Sequence, residues 1–347
     1  MSVNKPAIDD LCKKVDCRYT LVVESAKRAR ELVSGSQPLI DPKDKKPVSI
    51  AVERDQGHVS VRHTFIHGTK AMQEADYRYL ERYMKFLLWS IGGFKVSICG
   101  CSEIAKRIQN AYSATGERAF DVDFFKKLYE RDLEILDLPL DACPAANESP
   151  KPIGGHVDGC RIGFDAGGSD IKVAAVINGE TVWAEEIVWL PKLAEDISYH
   201  HEHIKSAMLK AAEHMPSFDA VGISTAGVLV ANRAMVSHLF LKVPKDTQGE
   251  ACKNVYVDVL EELGVPYAVA NDGDVAALAA SMDLDVNGVL GIAMGTSQAG
   301  GYVDINGNVT GWHNELAFVP VDYNPDSAVD EWSGDYGCGV KYFSTLK

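Results

Sequence analysis

Hydrophobic and polar positions switch between helical and strand-like spacing along this chain of 347 residues. Near the N-terminus, Val22, Ala26, Ala29 and Val33 recur at helical spacing, and basic residues fill the positions between them. A glycine follows the last of these positions, as it often does at the end of a helix. The pattern predicts a helix, then a loop rich in proline and charge, then a short apolar run at 48–52.

A different pattern begins near residue 54, where shorter segments alternate between the two periods. The predicted elements are two strands, 58–66 and 95–99, and three helices, 76–89, 102–112 and 121–136. Together they predict a small α/β module over residues 55–141. The segment 142–158 is rich in proline and glycine, which is typical of a linker.

The first chemical motif follows this linker. An apolar strand, 161–164, leads into Asp165-Ala-Gly167-Gly168-Ser169 and then into a second strand, 171–177. Glycines in a turn between strands allow backbone N–H groups to approach phosphate oxygens, and a nearby carboxylate can hold hydrated Mg²⁺. The same residues also suit an ordinary tight hairpin.

A second glycine turn lies about 130 residues further on, counting from Asp165 to Gly295. It begins with Gly295-Thr296 after the strand 291–294 and leads into another strand, 302–305. Two similar turns at this distance favour a duplicated domain that binds a nucleotide between its lobes.

Two further motifs lie between the glycine turns. Thr225-Ala226-Gly227 follows a strand, and Asn271-Asp272 stands between a strand and an alanine-rich helix. A carboxylate at that junction can cap the helix, or it can accept a proton from a hydroxyl that attacks a phosphoryl group. The sequence leaves both roles open for Asp272.

These four motifs, in this order, resemble those of the ROK family of sugar kinases and regulators over residues 159 to about 343. The resemblance implies an α/β fold, the actin-like ATPase or duplicated ribonuclease H-like domain. It implies ATP and Mg²⁺ as cofactors, Asp272 as the catalytic base and Asp165 as a residue that holds Mg²⁺ through water. The residues implied at the ATP phosphates are Gly167, Gly168, Ser169, Gly295 and Thr296, and those implied at the sugar are Thr225, Gly227, Asn271, Asp272 and Glu315.

The chain departs from the ROK pattern near its C-terminus. Asn314-Glu-Leu-Ala-Phe318 stands where the family has G-E-x-G-H, so a phenylalanine replaces the histidine. Cys338 alone remains of the family's zinc motif, and we therefore expect no zinc. Because no helical pattern of ten residues or more follows Gly288, we expect the second lobe, from about 288, to be incomplete and the kinase to be weak or inactive.

The N-terminal segment resembles another family. Asp16-Cys-Arg-Tyr-Thr-Leu-Val-Val23, Ala26-Lys-Arg-Ala-Arg30 and Lys46-Pro-Val-Ser-Ile-Ala-Val52 are similar to the N-terminal half of the omega subunit of bacterial RNA polymerase. The resemblance implies RNA polymerase as a partner through residues 1–54. An ordinary amphipathic helix with a basic face is the alternative.

Charge and composition limit the functions that we expect of this chain. The net charge is −14, and residues 1–54 carry 11 Lys/Arg against 8 Asp/Glu, which leaves 24 against 41 for the rest of the chain. An acidic body argues against direct binding of nucleic acid. Since the chain shows no long apolar run and no signal-peptide pattern, we expect a cytoplasmic protein with free cysteines and no membrane contact.

The sequence therefore divides into 1–54, 55–141, 142–158 and 159–347. The favoured interpretation is a sugar kinase that transfers phosphate from ATP to a sugar hydroxyl. The alternatives are a noncatalytic sugar-binding regulator and an RNA polymerase accessory protein. Residues 1–60 show no helix-turn-helix pattern of the kind that repressors in the ROK family carry. A sugar, RNA polymerase and a second copy of the chain are the candidate partners.

Overall fold

The computed structural model describes residues 13–16, 20, 24, 27, 45–150, 152–294 and 298–344. The predicted N-terminal helix lies almost entirely outside these residues. So do the predicted phosphate ligands Gly295 and Thr296.

The first sheet belongs to the predicted module. Its strands are β1 (Lys46–Glu53), β2 (Val59–Ile66), β3 (Lys95–Cys99) and β4 (Glu134–Leu138), in the order β2-β1-β3-β4. The helices of this part are α1 (Gln73–Ile91), α2 (Ser102–Ala111) and α3 (Ala119–Tyr129). Strand β1 pairs antiparallel with β2 on one side and with β3 on the other. Because β1 lies inside the sheet, the division placed at residue 54 does not follow the strand pairing.

One predicted helix of the module is wrong in its second half. The sequence predicted a helix over 121–136, but α3 ends at Tyr129 and residues 134–138 form the strand β4. Glu130 takes a left-handed conformation with φ 55°, which stops the helix. The next apolar residues then pair in parallel with β3. Tertiary pairing therefore overrides the local helical spacing.

The second sheet carries the first glycine turn. Its strands are β5 (Cys160–Ala166), β6 (Asp170–Ile177), β7 (Glu180–Val188), β8 (Ala220–Thr225) and β11 (Tyr267–Asn271). They lie in the order β11-β8-β5-β6-β7, and only β6 runs against the others. This is the strand order of a ribonuclease H-like lobe, so the predicted α/β fold is confirmed.

Helices cover this second sheet. The helices are α4 (Ile197–Ala212), α5 (Lys245–Leu263) and α6 (Asp272–Leu284). Buried residues of α4 and α5, such as Ile204, Met208 and Tyr256, join apolar strand residues in one core. A short hairpin, β9 (Val228–Val230) and β10 (Arg233–Val236), follows β8.

The second glycine turn joins β12 (Val289–Met294) to β13 (Gln298–Val303), which pair antiparallel. Strand β13 therefore begins before the predicted start at residue 302. A Cβ atom at Gly301 would lie 2.1 Å from the carbonyl oxygen of Gly273, so only glycine allows β13 to approach the start of α6 this closely. This contact brings the first residues of α6 beside the second hairpin.

The C-terminal segment packs on the module rather than standing alone. Val319 and Phe318 join the core formed by α1, α2 and α3. Three backbone amides, those of His313, Asn314 and Glu315, donate to the carbonyls of Ile91, Ser90 and Trp89 at the end of α1. These bonds satisfy carbonyls that a helix leaves without partners at its C-terminus. A last short helix, α7 (Val340–Phe343), closes the described residues.

None of the helices in the described residues is both long enough and apolar enough to cross a bilayer.

Candidate functional site

A cavity of about 700 Å³ opens where the start of α6 meets the loop after β8 and the C-terminal segment. Its lining includes Gly227, Asn271, Asp272 and Glu315. Four of the residues implied at the sugar therefore lie around one space, although they are up to 88 positions apart, counted from 227 to 315.

Asn271 holds two of the motifs together. Its Oδ1 accepts a hydrogen bond from the Gly273 amide at 2.8 Å and so caps α6. Its Nδ2 donates to the carbonyl oxygen of Gly227 at 2.7 Å. Gly227 has φ +118°, and a Cβ atom there would lie 2.3 Å from the carbonyl oxygen of Val236. The loop is therefore fixed to the helix start by one amide side chain.

Asp272 is the first residue of α6 and faces the cavity. One carboxylate oxygen, Oδ1, accepts from the Gly273 amide at 3.0 Å. Partial burial raises the pKa of Asp272, the negative charge of Asp165 raises it further, and His238 acts in the opposite direction. A carboxylate with a raised pKa is a better proton acceptor, so Asp272 has the position and the chemistry of a general base.

Two more carboxyl groups lie close to Asp272. Burial raises the pKa of Glu315 to about 7, and repulsion from Asp272 contributes. Burial also raises the pKa of Asp274 to about 7, although the Tyr302 amide and the Asn314 side chain donate to it. Near neutral pH such groups are partly protonated and can donate as well as accept hydrogen bonds. Because Glu315 lines the cavity, its carboxyl group suits the recognition of hydroxyl groups there.

The raised pKa of Asp274 predicts a pH effect on stability. The folded carboxyl binds its proton more tightly than the unfolded one, so its stabilising contribution is present at low pH and is lost as pH rises through about 7. The histidines His200, His238 and His313 act in the opposite direction, because their pKa values are lowered. We therefore expect the Tm difference between Asp274→Asn and the wild type to become more favourable to the variant from pH 5 to pH 8. Scanning calorimetry across this range measures that difference, and a constant difference would contradict the assignment.

Asp165 lies in a neighbouring space rather than in the same cavity. It lines a cavity of about 640 Å³ on the face of the second sheet that carries Lys172 and Glu186. Its charge nevertheless raises the pKa of Asp272, which places the two carboxylates within electrostatic reach.

The first glycine turn is anchored by a tryptophan. The Trp189 Nε1 donates to the carbonyl oxygen of Gly167 at 2.8 Å, and the Trp189 amide donates to that of Ser169 at 3.2 Å. Gly168 and Ser169 are exposed at the tip of the turn. Three of the five residues implied at the ATP phosphates thus form a supported loop with a solvent-facing tip.

Thr225, which the resemblance places at the sugar, lies in the core rather than at the cavity. It is 1% exposed, and its hydroxyl bonds to that of Tyr256 at 2.9 Å inside the core. Its side chain therefore stabilises the packing of α5 on β8 and does not line the cavity.

Phe318 and Cys338 stand where the ROK family has residues of its zinc motif, and each packs against other parts of the protein. Phe318 packs among aromatic rings, 4.5 Å from Trp89 between ring centroids. Cys338 is buried beside Asp335 and Ser333. Within the part of the chain that the structure describes, no group of three or more His, Cys, Asp or Glu side chains is arranged to hold a metal ion.

Two residues near the site were missed by sequence reasoning. A Cβ atom at Gly168 would lie 3.0 Å from the Nζ of Lys192, so this exposed lysine reaches the tip of the glycine turn. His238 lines the cavity and interacts with the charge of Asp272. Neither belongs to a motif, and only the folding of the loops after β7 and β10 brings them to the site.

Comparison with known proteins separates the chain into two parts. A family model described as RNA polymerase Rpb6 matches residues 10–54. The omega subunit of DNA-directed RNA polymerase from Clostridium kluyveri is 45% identical over 69 residues, which are 20% of this chain and 96% of that protein. The omega subunit from Heliobacterium modesticaldum is 53% identical over 62 residues, which are 17% of this chain and 90% of that protein.

Through its N-terminal part, the chain belongs to the RNA polymerase omega subunit family. The omega-like resemblance predicted from the sequence is confirmed. The last residues of the family match, 46–53, form β1, so this omega-family region continues into the first sheet.

Solved structures similar to the chain include proteins of the ROK family. A ROK family transcriptional regulator, a homologue of the E. coli MLC protein, has a TM-score of 0.41 and 19% identity over 53% of this chain and 46% of its own. The ROK hexokinase from Thermus thermophilus has a TM-score of 0.39 and 20% identity over 52% of this chain and 58% of its own. The chain spans about half the length of these solved structures.

Proposed function

We propose that residues 159–344 bind a sugar and transfer a phosphoryl group from ATP to one of its hydroxyls. The observation that carries this proposal is the cavity at the start of α6, which gathers Gly227, Asn271, Asp272 and Glu315. A carboxylate that lines a cavity, has a raised pKa and is surrounded by hydrogen-bonding groups suits the deprotonation of a hydroxyl.

Each residue has a distinct task in this mechanism. Asp272 accepts the proton of the attacking hydroxyl, and Asn271 and Glu315 orient the sugar ring. Asp165 would hold Mg²⁺ through water. The phosphates would lie against the turn formed by Gly167, Gly168 and Ser169. The resemblance also assigns Gly295 and Thr296, which lie outside the described residues, to the phosphates. Phosphoryl transfer needs mainly positioning and charge stabilisation, and ATP bound with Mg²⁺ would supply the transferred group.

Lys192 adds a positive charge to the glycine turn. We expect Lys192→Met to weaken ATP binding about tenfold to hundredfold, because a charge-assisted hydrogen bond contributes roughly 1.5–3 kcal/mol. Calorimetric titration with ATP and Mg²⁺ measures the change. Lys106→Met, which removes an exposed lysine from α2, is the matched control. Equal affinity in both variants would exclude Lys192 from the phosphate site.

The kinase proposal is tested by measuring ADP release in the presence of ATP, Mg²⁺ and a panel of hexoses. Sugar-dependent ADP release supports phosphoryl transfer. Sugar binding by calorimetry without ADP release would favour a noncatalytic sugar-binding regulator, which uses the same cavity without the chemical step.

A second proposal concerns the omega-family region. We infer that residues 1–54 associate with RNA polymerase in the cytoplasm, because relatives that match part of this chain over 90% or more of their own length are polymerase subunits. Copurification with core polymerase tests this association. The full chain is compared with a variant that lacks residues 1–44. The deletion stops at residue 44 because a cut at residue 54 would also remove β1 from the first sheet. Equal recovery of polymerase with both chains would contradict the proposal.

A further inference from the structure

We infer that the module, taken together with β1 as residues 46–141, forms part of the sugar site and selects sugars that carry an apolar substituent, with Phe124 contacting that substituent. This inference rests on the proposed sugar site. Phe124 of α3 lines the 700 Å³ cavity together with Phe318 and Trp332 from the C-terminal segment. Among the described residues of the module, Phe124 is the one that lines this cavity.

The three rings form an aromatic wall in which the buried ring of Trp89 joins Phe124 to Phe318. Trp89, which is fully buried, lies 4.7 Å from Phe124 and 4.5 Å from Phe318 between ring centroids. Phe318 in turn stacks on Trp332 at 6.5 Å with an interplanar angle of 28°. Trp332 is 80% exposed, so the wall ends in an open aromatic face. Exposed aromatic faces beside hydrogen-bonding groups are typical of sites for ligands with one apolar and one polar side.

The module also positions the opposite side of the cavity. The carbonyl of Trp89 at the end of α1 accepts from the Glu315 amide at 3.1 Å, which fixes the residue proposed to hold the sugar. Asp335 pairs with Arg82 at 2.8 Å and with Arg118 at 2.7 Å, and all three groups are buried. These pairs hold the segment that carries Trp332. The cavity is therefore incomplete without the module.

The charges around the cavity limit the ligand. The lining includes the acids Asp272, Glu315, Asp330 and Glu331, while Lys341 bonds to Glu331 at 2.9 Å. An anionic sugar would meet mainly like charge. The volume of about 700 Å³ lies within the range of roughly 300–1,000 Å³ that suits drug-sized ligands, so a hexose leaves room beside the aromatic wall. The fitting ligand is a neutral hexose with an apolar substituent or a second ring.

The test compares methyl and phenyl pyranosides of glucose, galactose and mannose by calorimetric titration without ATP. For at least one hexose we expect the wild type to bind the phenyl glycoside about threefold to tenfold more tightly than the methyl glycoside, as expected for a good aromatic contact. Phe124→Ala should reduce this preference to near unity. Phe124→Leu, which keeps apolar volume without a ring, should reduce it in part and guards against misfolding of the alanine variant.

The control is Phe65→Ala, which removes an exposed aromatic ring from β2 of the same module. It should keep the full preference. A preference that is absent in the wild type, or that survives in both Phe124 variants, would overturn this inference while leaving the sugar site in place. Binding of none of the six glycosides would overturn the proposed sugar site, and this inference with it.

Discussion

Replacing Asp272 with asparagine is expected to lower kcat for sugar phosphorylation about 10²- to 10⁴-fold, with little change in the Kd for the sugar. The amide keeps the shape of the side chain and can still accept the bond from Gly273, but it cannot take a proton. Steady-state kinetics and calorimetry on the same preparations separate the two effects.

The pH dependence of kcat gives a second test of the role of Asp272. A base must be ionised to act, and burial raises the pKa of Asp272, so the acid limb of wild-type kcat should lie above the range of an ordinary aspartate. The control is Asp283→Asn, an exposed aspartate near the other end of α6, which should leave both kcat and the profile unchanged. An Asp272→Asn enzyme with full activity would exclude the general base.

The largest expected effect on stability comes from Asp335. Its carboxylate contacts Arg82 at 2.8 Å, Lys85 at 2.6 Å and Arg118 at 2.7 Å, and its side chain is 2% exposed. Burial alone would raise the pKa of Asp335, but these three cations outweigh it and hold the pKa at about 2. Asp335→Ala leaves the cations without this partner, and we expect a loss of about 3–5 kcal/mol in the free energy of unfolding.

Urea unfolding followed by circular dichroism measures this loss. Asp326→Ala, an exposed aspartate in the same segment, is the matched control and should change the unfolding free energy by about 0.5 kcal/mol or less. An equal, small effect of both substitutions would show that the buried cations find other partners, such as Glu81 and Asp121.

Motifs at strand ends could be predicted because their local pattern also fixes their place in the fold. Gly227 follows β8 and Asn271 ends β11. These strands are parallel neighbours, so the two residues meet at one edge of the sheet. Asp272 follows directly as the first residue of α6. This part of the site needed only the strand pattern and the order of the motifs.

The contribution of the module could not be predicted, because it depends on contacts between distant residues. Arg82 and Lys85 look like solvated charges of an amphipathic helix in the sequence, yet both are buried against Asp335. Phe124 reaches the cavity only because α3 packs beside the C-terminal segment. Helical spacing reports which face of α3 is apolar but not which distant residue covers it.

Strand pairing crosses the boundary predicted at residue 54. The match to the family model ends at residue 54, and the pattern of hydrophobic and polar positions changes there. Strand pairing does not follow either of these changes, because β1 lies between β2 and β3. The omega-family region and the module are therefore joined through one sheet, and any variant that separates them must spare residues 46–53.

The central claim is that a sugar binds in the cavity at the start of α6. The most direct measurement is a crystal structure of the chain with the tightest-binding hexose of the panel. We predict density for the sugar between Gly227 and Glu315, with one hydroxyl within hydrogen-bonding distance of the Asp272 carboxylate. A sugar bound elsewhere on the chain, with this cavity holding only solvent, would contradict the account.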